Sequence, residues 1–150
     1  QDIAGRDSVM QILQGLAKTL VKYQDSQSGT WHQVTDQGAR EGNYLESSAT
    51  ALFIYTLAKA INKGYIGKEY IESTQKAFEG MVKTFTRLEE DGSYTITNCC
   101  AVAGLGGDSK RYRDGSFEYY ISEPVIENDP KSVGSFILAA IEYEKMIDKQ

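Results

Sequence analysis

The sequence predicts an all-α protein whose helices alternate between an outer and an inner layer, as in an α/α toroid. Three observations predict it. Apolar residues recur at helical spacing in four long segments. Two of those segments carry a single apolar stripe, and the two between and after them are apolar around most of their circumference. The connecting segments are rich in glycine, aromatic and polar residues, the composition of loops gathered at one end of such a ring.

The first helix is expected over residues 8–23, where Val9, Ile12, Leu13, Leu16 and Leu20 form one stripe. Gln11, Gln14, Lys18 and Lys22 lie opposite, so the helix belongs on the outside. Ser8 followed by Gln11 reads as a capping box. A loop rich in Gly, Gln and Asp covers residues 24–43, with Thr30-Trp31-His32-Gln33-Val34 as a short extended piece. The second helix is expected over residues 44–63, capped by Asn43 with Glu46 and ended by Gly64. Leu45, Ala49, Leu52, Ile54, Leu57 and Ile61 among others surround it, which buries it.

The third helix, residues 68–85, again has one stripe, through Ile71, Thr74, Phe78, Met81 and Phe85. Residues 86–128 read as non-helical, with β-like runs at 93–96 and 117–121; so long a loop is uncommon unless it is functional. The last helix starts at Asp129, an N-cap residue followed by Pro130. Val133, Phe136, Ile137, Ala140 and Ile141 point inward, and Gly134, Ser135 and Ala139 allow close packing.

A short loop pattern recurs: Ser28-Gly29-Thr30-Trp31, Asp91-Gly92-Ser93-Tyr94 and Asp114-Gly115-Ser116-Phe117, the first two copies 63 residues apart. Helical pairs at such a period suit a repeat architecture. Four helices do not close a ring, so the chain is either an open helical array or one part of a larger barrel.

A chain of 150 residues has the size of one domain. Its net charge of −5 excludes a nucleic-acid partner, which needs a basic face, and means that any anion site is made locally. No apolar run approaches the ~20 residues of a membrane span, so no membrane partner is expected. Cys99 and Cys100 are adjacent, a poor arrangement for a disulfide or a metal site, and read as two packed thiols. His32 is the sole histidine, which excludes a multi-histidine metal site. The chain begins at Gln1 without a signal-type apolar segment, as a processed product or a fragment would.

Several side chains are candidates for chemistry. Trp31 could stack on a sugar ring while His32 and Gln33 exchange hydrogen bonds with its hydroxyls; the competing reading is a tryptophan that anchors its loop. Glu46-Ser47-Ser48 opens an inner helix, where capping suffices to explain the carboxylate. Lys110-Arg111-Tyr112-Arg113-Asp114 places basic forks in an aromatic loop and could hold a uronic acid, against the plainer reading of a solvated surface. Between residues 122 and 131 lie Glu123, Glu127 and Asp129; Asp129 is explained by its cap, and Glu123 before Pro124 is the least explained. Gly104-Leu105-Gly106-Gly107 lacks the lysine of a phosphate loop and reads as a turn.

Together these segments resemble one family. Gly29-Thr30-Trp31-His32-Gln33-Val34-Thr35-Asp36, Tyr44-Leu45-Glu46-Ser47-Ser48-Ala49-Thr50-Ala51, Ala103-Gly104-Leu105-Gly106-Gly107 and Tyr112-Arg113-Asp114-Gly115-Ser116-Phe117-Glu118-Tyr119-Tyr120 are similar to the unsaturated rhamnogalacturonyl and glucuronyl hydrolases, glycoside hydrolase families 105 and 88. So are Ser122-Glu123-Pro124 and Asn128-Asp129-Pro130-Lys131, and the family 105 branch fits better. The resemblance implies an (α/α)6 barrel of which residues 1–150 are a single partial domain, the C-terminal portion. It implies removal of an unsaturated terminal uronic acid from pectin-lyase-derived oligosaccharides. A protonated Asp protonates the C4–C5 double bond, water adds at C5, and the opened ring releases the glycosidic bond. It implies no cofactor and no metal, and a bacterial cytoplasmic or periplasmic setting.

The family's catalytic Asp and its neighbouring Trp/Arg/Gly-rich motif lie in the N-terminal half, and nothing in this sequence matches them. The expectation is therefore a segment inactive alone, with no catalytic residue of its own. Its partners are the missing N-terminal half of the barrel and an oligosaccharide ending in an unsaturated uronic acid. Trp31, His32, Gln33, Arg113, Glu123, Asn128 and Lys131 are its expected substrate-binding residues. Two alternatives stay open: a carbohydrate-binding or scaffold module without chemistry, and another α/α-barrel glycosidase or lyase using Glu123 and Asp114 as its carboxylate pair.

Overall fold

A computed structural model describes residues 3–108 and 112–149. Lys110 and Arg111 of the basic run lie outside the described residues.

Helix α1 (Arg6–Lys22) starts two residues earlier than expected. Its N-cap is Gly5, left-handed at φ 84°, and Val9 N donates to Gly5 O at 3.1 Å. Ser8 sits inside the helix, so the capping box does not form. Helix α2 (Ser47–Asn62) buries Ala51, Ile54, Leu57 and Ala58 completely, as an inner helix must. It starts three residues later than expected because Glu46, not Asn43, is its cap. Asn43 instead folds the preceding loop, accepting from Val34 N and donating to Val34 O and Gln37 O. Gly64, at φ 67°, ends the helix as foreseen.

Helix α3 (Ile71–Phe85) is entered through a single 3-10 turn, Lys68–Tyr70. It buries Thr74, Ala77, Met81 and Phe85 along one face. Gly80 sits mid-helix for a steric reason: a β-carbon there would run into the carbonyl of Ser28. The loop after α1 is pressed against α3 at this point, and Gln24 Nε2 donates to Ser73 O at 2.9 Å.

The segment after α3 is more ordered than a loop. Strands β1 (Thr86–Leu88) and β2 (Tyr94–Ile96) form an antiparallel hairpin. Strand β3 (Cys99–Cys100) pairs antiparallel with β4 (Val125–Ile126). The expected β-like run at 117–121 is instead a short helix, α4 (Phe117–Ser122). Ser116 accepts from Tyr119 N at 3.1 Å, and this cap overrides the strand preference of the aromatic residues. Helix α5 (Pro130–Ile147) begins as expected, with Asp129 accepting from Lys131 N at 2.9 Å.

Helices α2 and α5 are parallel neighbours. Ser47 Oγ lies 3.0 Å from Ser132 Oγ near their starts, and Asn62 Nδ2 donates to Glu142 O at 2.8 Å further along. The end of α1 lies beside the start of α2: Trp31 Nε1 donates to Leu20 O at 2.8 Å, and Trp31 N to Thr50 Oγ1 at 3.2 Å. Phe78 of α3 stacks on Tyr143 of α5 at 3.9 Å. The order outer, inner, outer, inner holds for the four long helices, which form an arc of an α/α barrel. Trp31, Ile54, Leu57, Met81 and Phe85 fill its core. Two apolar stripes stay uncovered at the flanks of the arc: Val9, Ile12 and Leu16 on α1, and Ile137, Leu138 and Ile141 on α5.

The recurring loop pattern is a turn rather than a structural repeat. Gly29, Gly92 and Gly115 all take φ between 75° and 83°. Asp91 and Asp114 each accept from the N–H two residues on, at 2.9 Å. The aromatics that follow diverge: Trp31 and Phe117 are buried, Tyr94 is exposed. No helix among the described residues is long and apolar enough to cross a membrane.

Candidate functional site

The starts of α2 and α5 lie side by side, and the loops stitched over them form a rim. Glu46 holds the first stitch. Its carboxylate is buried and accepts from Ala49 N at 2.6 Å, Ser48 Oγ at 2.8 Å and Cys100 N at 3.0 Å. One side chain thereby caps α2 and fastens β3 to it. Ser47 N donates to Asn98 O at 3.0 Å, and Asn98 takes φ 58° to offer that carbonyl. Ala101 N donates to Pro124 O at 2.8 Å, and Lys131 Nζ donates to Ala101 O at 3.0 Å. Residues 97–101 and 124–131 are thus tied to each other and to both helix starts.

Electrostatics follow from this packing. Burial, then the nearby Glu46 charge, pushes the Cys99 thiol above its ordinary range. Burial, then Cys100, does the same to the Tyr44 hydroxyl. Lys131 is raised by Asp129 and Cys99 against the opposing effect of burial. Asp129 is lowered by the Lys131 ammonium and backbone N–H. Both cysteines are free and buried, and Cys100 Sγ accepts from Gln33 Nε2 at 3.3 Å. Among the described residues, no three His, Cys, Asp or Glu side chains group as metal ligands.

The seven expected substrate-binding residues do not meet at one point. Trp31 is 0% exposed, its indole N–H is spent on Leu20, and Phe53 packs edge-on against it at 5.3 Å. It offers no face to a sugar, so the anchoring reading replaces the stacking one. His32 pairs its backbone with Leu45 and lines a cavity of about 420 Å³ on the α1 side, with Lys22, Asp25, Asp36 and Gly38. Gln33 is turned to Cys100. Asn128, at φ 52°, spends its polar atoms on β2: Oδ1 accepts from Ile96 N at 2.9 Å and its N–H donates to Ile96 O at 2.8 Å. It shapes the turn into α5 rather than presenting a free amide.

Arg113 and Glu123 pair on the rim, and Lys131 is tied to the same loops through backbone. Arg113 Nε lies 3.5 Å from Glu123 Oε1, and Glu123 adjoins Pro124, the residue bonded to the Ala101 that Lys131 holds. The alternative carboxylate pair does not form a catalytic arrangement. Glu123 is buried against Arg113, while Asp114 is held below the ordinary Asp range by Ser116 and is spent on a turn. Sequence reasoning missed Tyr119, whose hydroxyl accepts from Gly104 N at 3.0 Å, and the stitching by Glu46. The signal for the latter was present: a Glu directly before Ser47-Ser48 at the start of a buried helix.

Parallel inner helices whose starts carry a stitched rim of loops, backed by outer helices, define the class: part of an α/α barrel. The chain belongs to Glycosyl Hydrolase Family 88, whose family model matches residues 1–147. A family 105 glycoside hydrolase from C. acetobutylicum superposes with a TM-score of 0.89 at 42% identity, over 94% of this chain and 39% of that one. A possible family 105 member from Salmonella enterica gives a TM-score of 0.77 at 27% identity, over 99% of this chain and 34% of that one. A 24.9 kDa protein in the picA locus of Rhizobium radiobacter is 38% identical over 121 residues, 78% of this chain and 52% of that protein. The chain thus spans about half the length of that curated relative.

Proposed function

We propose that this chain is the C-terminal portion of an unsaturated uronide hydrolase of the rhamnogalacturonyl type. In this reading the complete barrel removes the unsaturated terminal uronic acid from pectin-lyase-derived oligosaccharides. It protonates the C4–C5 double bond and adds water at C5; the ring opens, and the glycosidic bond is released. The observation that carries the reading is the family 105 likeness at 42% identity, together with the resemblance of residues 103–107 and 112–124 to that family.

The chain's own part is wall and scaffold. Its rim presents Arg113 and Lys131 to an acidic sugar, His32 lines a separate cavity on the α1 side, and the proton donor comes from the remainder of the barrel. The apolar stripes of α1 and α5 are the surfaces on which that remainder closes; exposed apolar surface of this kind marks an interface. The test is to follow the ultraviolet absorbance of the double bond in an unsaturated galacturonyl-rhamnose disaccharide. The expected result is turnover by the complete barrel and none by residues 1–150. Turnover by the 150-residue chain would refute the division of labour, and inactivity of the complete barrel would refute the reaction.

A further inference from the structure

Arg113 differs from the arginines around it. Arg40 lies over the Phe117 ring and is paired with Gln37 and Glu118. Arg87 gives both Nη groups to Glu127 at 2.7 and 2.8 Å and its Nε to Glu89 at 3.0 Å. Their forks are used up. Arg113 is held on one side only: Nε faces the Glu123 carboxylate, and neither Nη group makes a hydrogen bond among the described residues.

The surroundings keep that fork aimed and approachable. The Glu123 side chain is 0% exposed and that of Arg113 is 29% exposed, so the pair is buried at its carboxylate and reaches solvent only on the arginine side. The Arg113 backbone is fixed by two hydrogen bonds with Gly106, both 2.9 Å. Gly104 runs beside the guanidinium, and a β-carbon there would touch Nη1 at 3.9 Å; glycine leaves that edge bare. A planar guanidinium with two free parallel N–H groups grips a carboxylate in a way that an ammonium does not.

We infer that Arg113 reads the carboxylate of an acidic sugar on this rim, and that Glu123 is the positioning residue that holds its fork outward. The inference rests on the uronide reading for its ligand. It goes further by placing acid recognition in this chain, on one residue pair. A net charge of −5 gives the chain no general attraction for acids, so discrimination rests on local donors.

Calorimetric titration of the complete barrel with the unsaturated galacturonyl-rhamnose disaccharide and with its methyl ester tests this. Galacturonic acid and its methyl ester serve as a second pair. The acid is expected to bind ~10- to 100-fold more tightly than the ester, the range of charge-assisted hydrogen bonds. Arg113→Lys keeps a cation beside Glu123 but loses the fork, and the acid-to-ester ratio should fall toward one. Glu123→Gln should lower the ratio by a smaller factor, whereas a merely structural role would weaken acid and ester together. The Arg113→Gln/Glu123→Gln double variant removes both members of the pair; it carries the test if Arg113→Lys fails to fold.

Equal affinity for acid and ester, no binding of either, or a preference that survives Arg113→Lys or the double variant would overturn the inference. The second ligand pair has no double bond, so its outcome is independent of whether the complete barrel hydrates one.

Discussion

Replacing Glu46 should unfasten two parts of the molecule at once. In Glu46→Ala the α2 N-terminus loses its cap, which costs about 1 kcal/mol. The Cys100 N–H loses its acceptor at a buried position, which costs a further ~1–3 kcal/mol. Ser48 Oγ is only partly buried and can turn to water, so it adds little. The total is about 3 kcal/mol, a large share of the ~5–15 kcal/mol that holds a domain together. Glu46→Gln is the finer probe. An oxygen at the Oε1 position keeps Ser48 and Cys100, but the amide nitrogen then meets the Ala49 N–H, donor against donor. It should cost about half as much, ~1–2 kcal/mol. Urea unfolding followed by both tryptophan fluorescence and circular dichroism gives the free energy if the two transitions coincide. Amide exchange should quicken at Cys100 and Ala49 before it does in the middle of α2. A loss below ~1 kcal/mol for Glu46→Ala at unchanged denaturant slope would refute the stitching argument.

Other outcomes follow from the same contacts. Trp31 is the only tryptophan, so folded-state emission should be blue-shifted and insensitive to iodide; quenching by an added sugar would contradict its burial. Gly80→Ala should destabilise by ~1–3 kcal/mol in thermal melts despite alanine's better helix propensity, because the new methyl meets the Ser28 carbonyl. Arg87→Ala should cost less than ~1 kcal/mol in the same melts, since the Arg87–Glu127 pair is half exposed on both sides. Asp129 is depressed in the folded chain by Lys131, so its contribution is present above the unfolded value and lost as pH falls through the folded one. The melting temperature should therefore drop as pH falls below about 4, and Asp129→Asn should flatten that slope.

The long helices were legible because burial imposes a period that a sequence cannot hide. Ile71 to Phe85 shows it buried; Val9 to Leu20 and Val133 to Ile141 show the same period, yet Val9, Ile12, Leu16, Ile137 and Ile141, expected to pack inward, lie exposed on the open flanks of the arc. Helix starts were less legible, because capping competes among nearby residues. Asn43 and Ser8 have the better side chains for the task, yet Glu46 and Gly5 hold the cap positions. In α2 the decision is made by Cys100, a tertiary partner 54 residues away. Helix α4 was illegible for another reason. Six residues show barely two turns of period, and Phe117-Glu118-Tyr119-Tyr120-Ile121 is made of strand formers. Trp31 had an even choice between sugar platform and anchor, and only the position of α1 settles it, by bringing the Leu20 carbonyl to the indole. Of the candidate site, the sequence brought forward Arg113 and Glu123, which pair, and Lys131, which holds the Ala101 carbonyl, while Gln33 and Asn128 are spent on backbone and thiol partners.

The stitched rim has a thermodynamic corollary. Floppy loops freeze when they close on a ligand, and the lost backbone and rotamer freedom is subtracted from affinity. Here residues 97–101 and 124–131 are already immobilised by hydrogen bonds to two helices that pack on each other. A ligand that uses this rim meets walls frozen during folding, so selectivity on it is governed by the match of a few donors and acceptors rather than by the entropy of closure.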